Sequence, residues 1–179
     1  MIKIKEYEVK NLTDELLLKE FEFISELFNN KEKLHFEKWT EIFIYLGIPE
    51  EVVDEFDTQD FLDAIKEFNL VKTHSNIIIK DFIIDDVKYI AYEDDFRLTV
   101  KEMAMIEAYV KKNENRYLGE IMAIIYKREG CDKTINFDKV HISFKAELFR
   151  KSIKADVVIP VINFISKRLI KEVEILNED

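Results

Sequence analysis

Over most of its length the chain repeats apolar residues at the three- and four-residue spacing of a helical face, and it abandons that spacing once, between residues 70 and 92. A stripe of that period is stable only when another element covers it, so the sequence calls for helices packed on one another. Thr13 precedes Asp14 and Glu15, a cap and two acids suited to a helix N-terminus, and Leu17, Phe21, Ile24 and Phe28 follow on one face. Asn29-Asn30 ends that helix. A second runs from about Leu34 to Leu46 with Phe36, Trp39, Phe43 and Leu46 inward, and Gly47-Ile48-Pro49 stops it. Residues 50–56 form a short acidic helix. Thr58 caps a fourth over Gln59–Phe68, with Phe61, Leu62, Ile65 and Phe68 buried.

Residues 2–9 read as a short strand or arm. In residues 70–92 the runs Ile77-Ile78-Ile79, Phe82-Ile83-Ile84 and Val87-Lys88-Tyr89-Ile90 are β-rich, and Asp85-Asp86 lies between the last two. This predicts a hairpin whose turn lacks the usual Gly. Helices then return. Thr99 and Glu102 make a capping box ahead of Met103, Ile106, Tyr109 and Val110. Tyr117–Arg128 is the next helix, with Leu118, Ile121, Met122 and Ile125 inward, closed by Glu129-Gly130 before a loop over Cys131–Asn136. From Phe137 to about Leu176 one or two helices follow. Val158, Ile162, Ile165, Leu169 and Val173 mark the last stripe, and Pro160 either starts that helix or kinks a longer one. The expected class is mainly α with a small β-hairpin (α+β), a helical bundle carrying a short antiparallel sheet. Residues 1–69 are its N-terminal helical region, and 70–179 its hairpin and C-terminal helices, in one compact unit.

Several chemistries are hard to build from these residues. Gly47, Gly119 and Gly130, the only glycines, are too scattered for a phosphate loop or a dinucleotide fingerprint. One cysteine excludes an internal disulfide and a Cys-rich metal site. His35, His74 and His141 lie in three different elements without a zinc-ligand spacing. Cys131 and His141 carry no surrounding signature of a nucleophile and its base. Asp85, Asp86, Asp94 and Asp95 lack the alternating ligands and central Gly of an EF-hand loop. No enzyme and no cofactor are expected. Runs such as Val157–Ile162, six residues with Pro160 inside, are too short for a membrane span, and Met1–Lys5 alternates charge with apolarity unlike a signal peptide.

The charge is unevenly spread. Residues 1–95 carry 24 acids against 11 bases, a net of −13, and residues 96–179 carry 13 acids against 16 bases, a net of +3. Either these are solvated faces that keep the chain soluble, or an acidic and a mildly basic end dock head-to-tail in a ring or stack. A net of +3 is too weak for sequence-specific nucleic-acid binding, which calls for a clustered basic patch.

Certain runs resemble a family. Phe82-Ile83-Ile84-Asp85-Asp86-Val87-Lys88-Tyr89, then Leu98-Thr99-Val100-Lys101-Glu102, then Ile106-Glu107-Ala108-Tyr109 are similar to a pattern in small proteins of tailed bacteriophages. There a short hairpin leads into a helix that begins with Leu-Thr and carries an acid-x-Tyr. Leu118–Arg128 is similar to that family's Leu-Ala-Ile-Leu-Tyr-Arg-Pro helix, and Lys145–Phe149 and Val158–Phe164 resemble its remaining helices. The likeness spans roughly residues 76–166. The chain departs from it at Glu129, where a Pro is expected, at Asp86 in place of the hairpin Gly, and at Phe164-Ile165 in place of a Phe pair.

The resemblance implies a non-catalytic tail-assembly chaperone or small neck or tail component, found in the virion and assembled in the host cytoplasm. It implies contact with other phage structural proteins and with copies of itself, with no catalytic residue. The leading expectation is a multi-copy ring or adaptor at the head–tail junction or in the tail. The alternatives are a tail-assembly chaperone that leaves the particle, or a small acidic protein directed at a host target. The expected contact residues are Glu50, Glu51, Asp54 and Glu55 of the acidic helix, Tyr89 and Tyr92 of the hairpin, and Arg168 and Lys171 of the last helix.

Overall fold

The computed structural model describes residues 2–10, 15–69, 78–91, 98–112, 116–131 and 139–177, with side chains except at positions 2, 69, 139 and 168–177. Strands β1 (Ile2–Ile4) and β2 (Tyr7–Val9) pair antiparallel, so the N-terminal arm is a hairpin rather than one strand. Helices α1 (Leu18–Asn29), α2 (His35–Tyr45), α3 (Glu50–Asp54) and α4 (Thr58–Asn69) follow. Strands β3 (Asp81–Ile84) and β4 (Val87–Ala91) lead to α5 (Val100–Lys112) and α6 (Leu118–Ile125). Strand β5 (Tyr126–Arg128), α7 (Lys139–Ser152) and α8 (Ala155–Asn177) complete the described elements. The fold is mainly α with two small antiparallel sheets.

Local chemistry explains most boundaries. Thr99 N–H donates to Glu102 Oε2 at 2.5 Å and Glu102 N–H donates to Thr99 Oγ1 at 3.3 Å, as the capping box predicts, and the Thr99 hydroxyl also donates to Glu102 Oε2 at 2.9 Å. The same backward reach opens two other helices, where Glu20 accepts from Leu17 N–H at 2.7 Å and Glu37 from Leu34 N–H at 2.8 Å. Asp57, not Thr58, caps α4: its carboxylate accepts from Asp60 N–H at 2.8 Å. Gly47 stands at φ +105° just past α2, a conformation that suits glycine at a helix stop. Thr13 lies outside the described residues.

Buried side chains gather in two clusters. One centres on Trp39, Phe43, Phe61 and Phe68 of α2 and α4, with Ile4 and Val9 of the first hairpin. The other surrounds α6, all eight residues of which are buried, and includes Tyr126, Ile142, Phe149, Val158 and Val161. Phe21 of α1 packs against both, Leu18 joins the α6 cluster, and Ala155 at the start of α8 joins the Trp39 cluster. A short backbone bridge crosses the same place. Leu18 N–H donates to the Ile153 carbonyl and Ala155 N–H to the Leu16 carbonyl, each at 2.8 Å. It interrupts the C-terminal stretch, making α7 and α8 two helices. Pro160 lies inside α8, five residues past its start, rather than at its beginning.

Two expected burials and one helix end differ. Leu62 and Phe36, placed inward by periodicity, are exposed, as is Phe28. The helix expected through Arg128 stops at Ile125, and Tyr126 turns extended (φ −98°, ψ 128°) to pair with Ala91. A non-local partner decides this: Glu129 N–H donates to the Lys88 carbonyl at 2.9 Å, and Tyr126 Oη–H to the Ile79 carbonyl at 2.5 Å. A Pro at position 129 would lack the first donor.

In the β3–β4 hairpin the register Ile84↔Val87 leaves Asp85 and Asp86 as a two-residue turn, both at positive φ (48° and 61°). This is a type I′ turn without its favoured Asn-Gly. The double variant Asp85→Asn/Asp86→Gly is expected to gain about 0.5 kcal/mol in urea unfolding, and Asp86→Val to lose more than about 1 kcal/mol.

Candidate functional site

Three helices meet over one guanidinium. Arg150 of α7 donates from Nε to Glu22 Oε2 of α1 at 2.7 Å, from Nη2 to Glu120 Oε2 of α6, and from Nη1 to Glu147 Oε1 at 2.7 Å. Glu22 in turn accepts from Gly119 N–H through Oε1 at 3.0 Å. Glu22 and Glu120 are buried, while the Glu147 side chain is exposed. Burial disfavours the charged guanidinium, but hydrogen bonds and attraction from Glu22 and Glu120 more than offset it, so the Arg150 pKa is raised. Gly119 leaves room for the guanidinium: a Cβ there would stand 2.9 Å from Arg150 Cζ.

The cluster floors a cleft of about 480 Å³, walled by Lys19, Phe23, Tyr45 and Arg116. Phe23 and Tyr45 stack at 4.0 Å between ring centroids. Arg116 pairs at the surface with Glu26 at 2.7 Å and also offers its carbonyl to Arg150. The acids on the floor are thus committed to Arg150, a fork that suits several carboxylates at once. Chemically the arrangement clamps α1, α6 and α7 together. Glu22 and Arg150 went unremarked in the sequence, although Glu22 follows the buried Leu18 by four residues, and a glycine inside an apolar helix signals close approach.

A second buried charge lies nearby. Lys145 is 5% exposed, and its Nζ donates to the Tyr126 carbonyl at 2.9 Å. Burial pushes its pKa down to about 8, partly countered by Cys131. Burial also raises the Tyr126 phenol.

The expected contact residues part company. Glu50, Glu51, Asp54 and Glu55 are exposed along α3 and just beyond it. Tyr89 is not a surface anchor: it is 8% exposed, stacked on Phe82 at 5.7 Å and edge-on to Phe149 at 5.0 Å. Strand alternation points it inward, while Lys88 reaches Asp81 and Glu129, each at 3.4 Å. Tyr92 lies outside the described residues, and Arg168 and Lys171 lie on α8 with side chains outside the description. His35 and His141 are exposed and Cys131 is half-buried, whereas His74, Asp94 and Asp95 lie outside the described residues. Among the described residues no group of three or more His, Cys, Asp or Glu is placed to hold a metal ion, and no helix is long and apolar enough to cross a membrane.

Among the described residues, several large apolar side chains are exposed. Val140 and Phe144, one turn apart on α7, are 76% and 75% exposed. Phe28, Leu34, Phe36 and Leu62 are also exposed, at the end of α1, the start of α2 and on α4. Phe36 stacks on Phe61 at 5.3 Å, and Phe28 meets Trp39 edge-on at 5.3 Å. Comparison of the chain with models of known families, with curated proteins and with solved structures finds no match.

Replacing Arg150 by Met strands two buried carboxylates and is expected to cost about 3–5 kcal/mol in urea unfolding, whereas Glu147→Gln costs less than about 0.5 kcal/mol. Equal costs would contradict the clamp. For Lys145, the unfolded chain keeps a proton between pH 8 and 10.5 that the folded chain has lost, so stability rises with pH across that window. Measured against Lys145→Met, the unmodified protein should gain about 2 kcal/mol between pH 7 and 9.5. A constant difference would place Lys145 in contact with water.

Proposed function

We propose that the chain is a non-catalytic bacteriophage structural or assembly protein that works by protein–protein contact. In this reading it is a multi-copy component of the head–tail junction or tail, a ring or adaptor carried in the virion and assembled in the host cytoplasm. The observation that carries contact as the mode of action is the α7 pair, Val140 and Phe144, each about three-quarters exposed. Two large apolar side chains side by side on the water-facing side of one helix are the kind of surface that protein contacts cover. The acidic run of α3 and α4, from Glu50 to Asp63, adds a charged face, and the charged floor of the α1–α6–α7 cleft is turned inward on Arg150. The phage setting is supported by the resemblance of residues 76–166.

A second reading, a tail-assembly chaperone that leaves before maturation, is favoured by the exposed apolar side chains of Phe28, Phe36 and Leu62, since such a protein must cover apolar segments of its clients. Quantitative mass spectrometry of purified, DNA-filled particles separates the two. About a dozen copies per particle, a number set by ring symmetry, is the expected result. Absence from particles with abundance in the infected-cell lysate would overturn the virion role and favour the chaperone or an acidic host-directed binder.

A further inference from the structure

Among the described residues, two of the exposed apolar sites lie in regions of opposite charge. At the first, Phe36 stacks on Phe61 of α4 at 5.3 Å, with the exposed Leu34 two residues before one ring and Leu62 one residue after the other, and α3 and α4 (residues 50–69) carry eight acids and one base. The exposed acids there include Asp57, Asp60 and Asp63, and Lys66 is already paired with Asp63 at 2.9 Å. The second is the Val140–Phe144 ridge of α7. Farther along, Lys151 of α7 and Lys154, two residues past its end, are exposed cations, while the one exposed acid of α7, Glu147, is held by Arg150. An (i, i+4) pair of apolar side chains on a helix is the anchor pattern by which a helix seats on an apolar surface.

We propose that these surfaces are partners: the α7 ridge of one copy seats on the Leu34–Phe36–Leu62 surface of the next, with Lys151 and Lys154 facing the acids of α3 and α4. The assignment of a second copy as the occupant rests on the charge complementarity and on both halves of the contact being present in one chain. It deepens the reading of the protein as a self-associating assembly component. Because the two surfaces differ, the contact is head-to-tail, and repetition closes a ring or extends a stack.

Light scattering coupled to size-exclusion chromatography of the full chain tests this. The unmodified protein should form species larger than a dimer. Phe36→Glu and Phe144→Glu should each be monomeric, since a central aromatic anchor lost from an interface weakens it by more than about tenfold. Mixed in equal amounts they should give a one-to-one dimer and nothing larger, because each retains the surface the other has lost. Leu34→Glu and Val140→Glu, at positions 69% and 76% exposed, repeat the test where a Phe36 or Phe144 variant fails to fold. A monomeric unmodified protein, assembly abolished by only one of the two substitutions, or a mixture that stays monomeric would overturn the proposal. A protein found in particles yet monomeric when pure overturns this contact alone. Self-association with absence from particles overturns the virion role alone.

Discussion

The guanidinium of Arg150 is where three helices from distant parts of the chain are held to one geometry. Its nitrogens take carboxylates from α1, α6 and α7, and the α1 carboxylate also holds a backbone N–H of α6. Glu22 and Glu120 stay buried, and Arg150 nearly so, because each carboxylate pairs with the guanidinium, and desolvating one ion without its partner is costly. Gly119, which has no side chain, leaves room for the fork. Replacing such a cluster by apolar groups can be neutral for stability. What the charges add here is register, because α1 can slide along α6 and α7 only by breaking bonds that water cannot replace inside the fold.

The two apolar clusters follow from that register. Leu18 and Glu22, one turn apart on α1, enter the α6 cluster and the Arg150 fork, while Ile24 and Leu27 enter the Trp39 cluster. The bridge between Leu16–Leu18 and Ile153–Ala155 fixes the same junction through the backbone, and Ala155 carries α8 into the Trp39 cluster. With both clusters filled, the surplus apolar side chains of α2, α4 and α7 remain outside. The proposed contact function follows from that surplus and its charged surroundings.

Helix positions were legible because their signals are local. The apolar stripes, the Thr99–Glu102 box and the Gly47 stop each act within a few residues. The hairpin was legible from its β-rich runs, although its turn uses two aspartates at positive φ. What was not legible depends on distant partners. Nothing near Ile153 breaks a helix, and the break exists because Leu16 and Leu18 complete the bonds. Tyr126 leaves the helical pattern because β4 offers an edge. Of the expected contact residues, the α3 acids are exposed, as an acidic run on a short helix implies. Tyr89 required knowing which side of the strand faces Phe149. Leu62 and Phe36 satisfy the helical period yet face water, because period locates a stripe and leaves unspecified whether the same chain covers it.

The central claim is that the Arg150 fork and the neighbouring bridge make the two clusters one cooperative unit. The chain carries one tryptophan and one cysteine: Trp39 lies in the first cluster, and Cys131 follows β5 beside the second. The most direct test is urea unfolding followed simultaneously by Trp39 fluorescence and by a fluorine label on Cys131. The account predicts a single transition with the same midpoint from both probes. Loss of the Trp39 signal at a clearly different denaturant concentration from the Cys131 signal would contradict it.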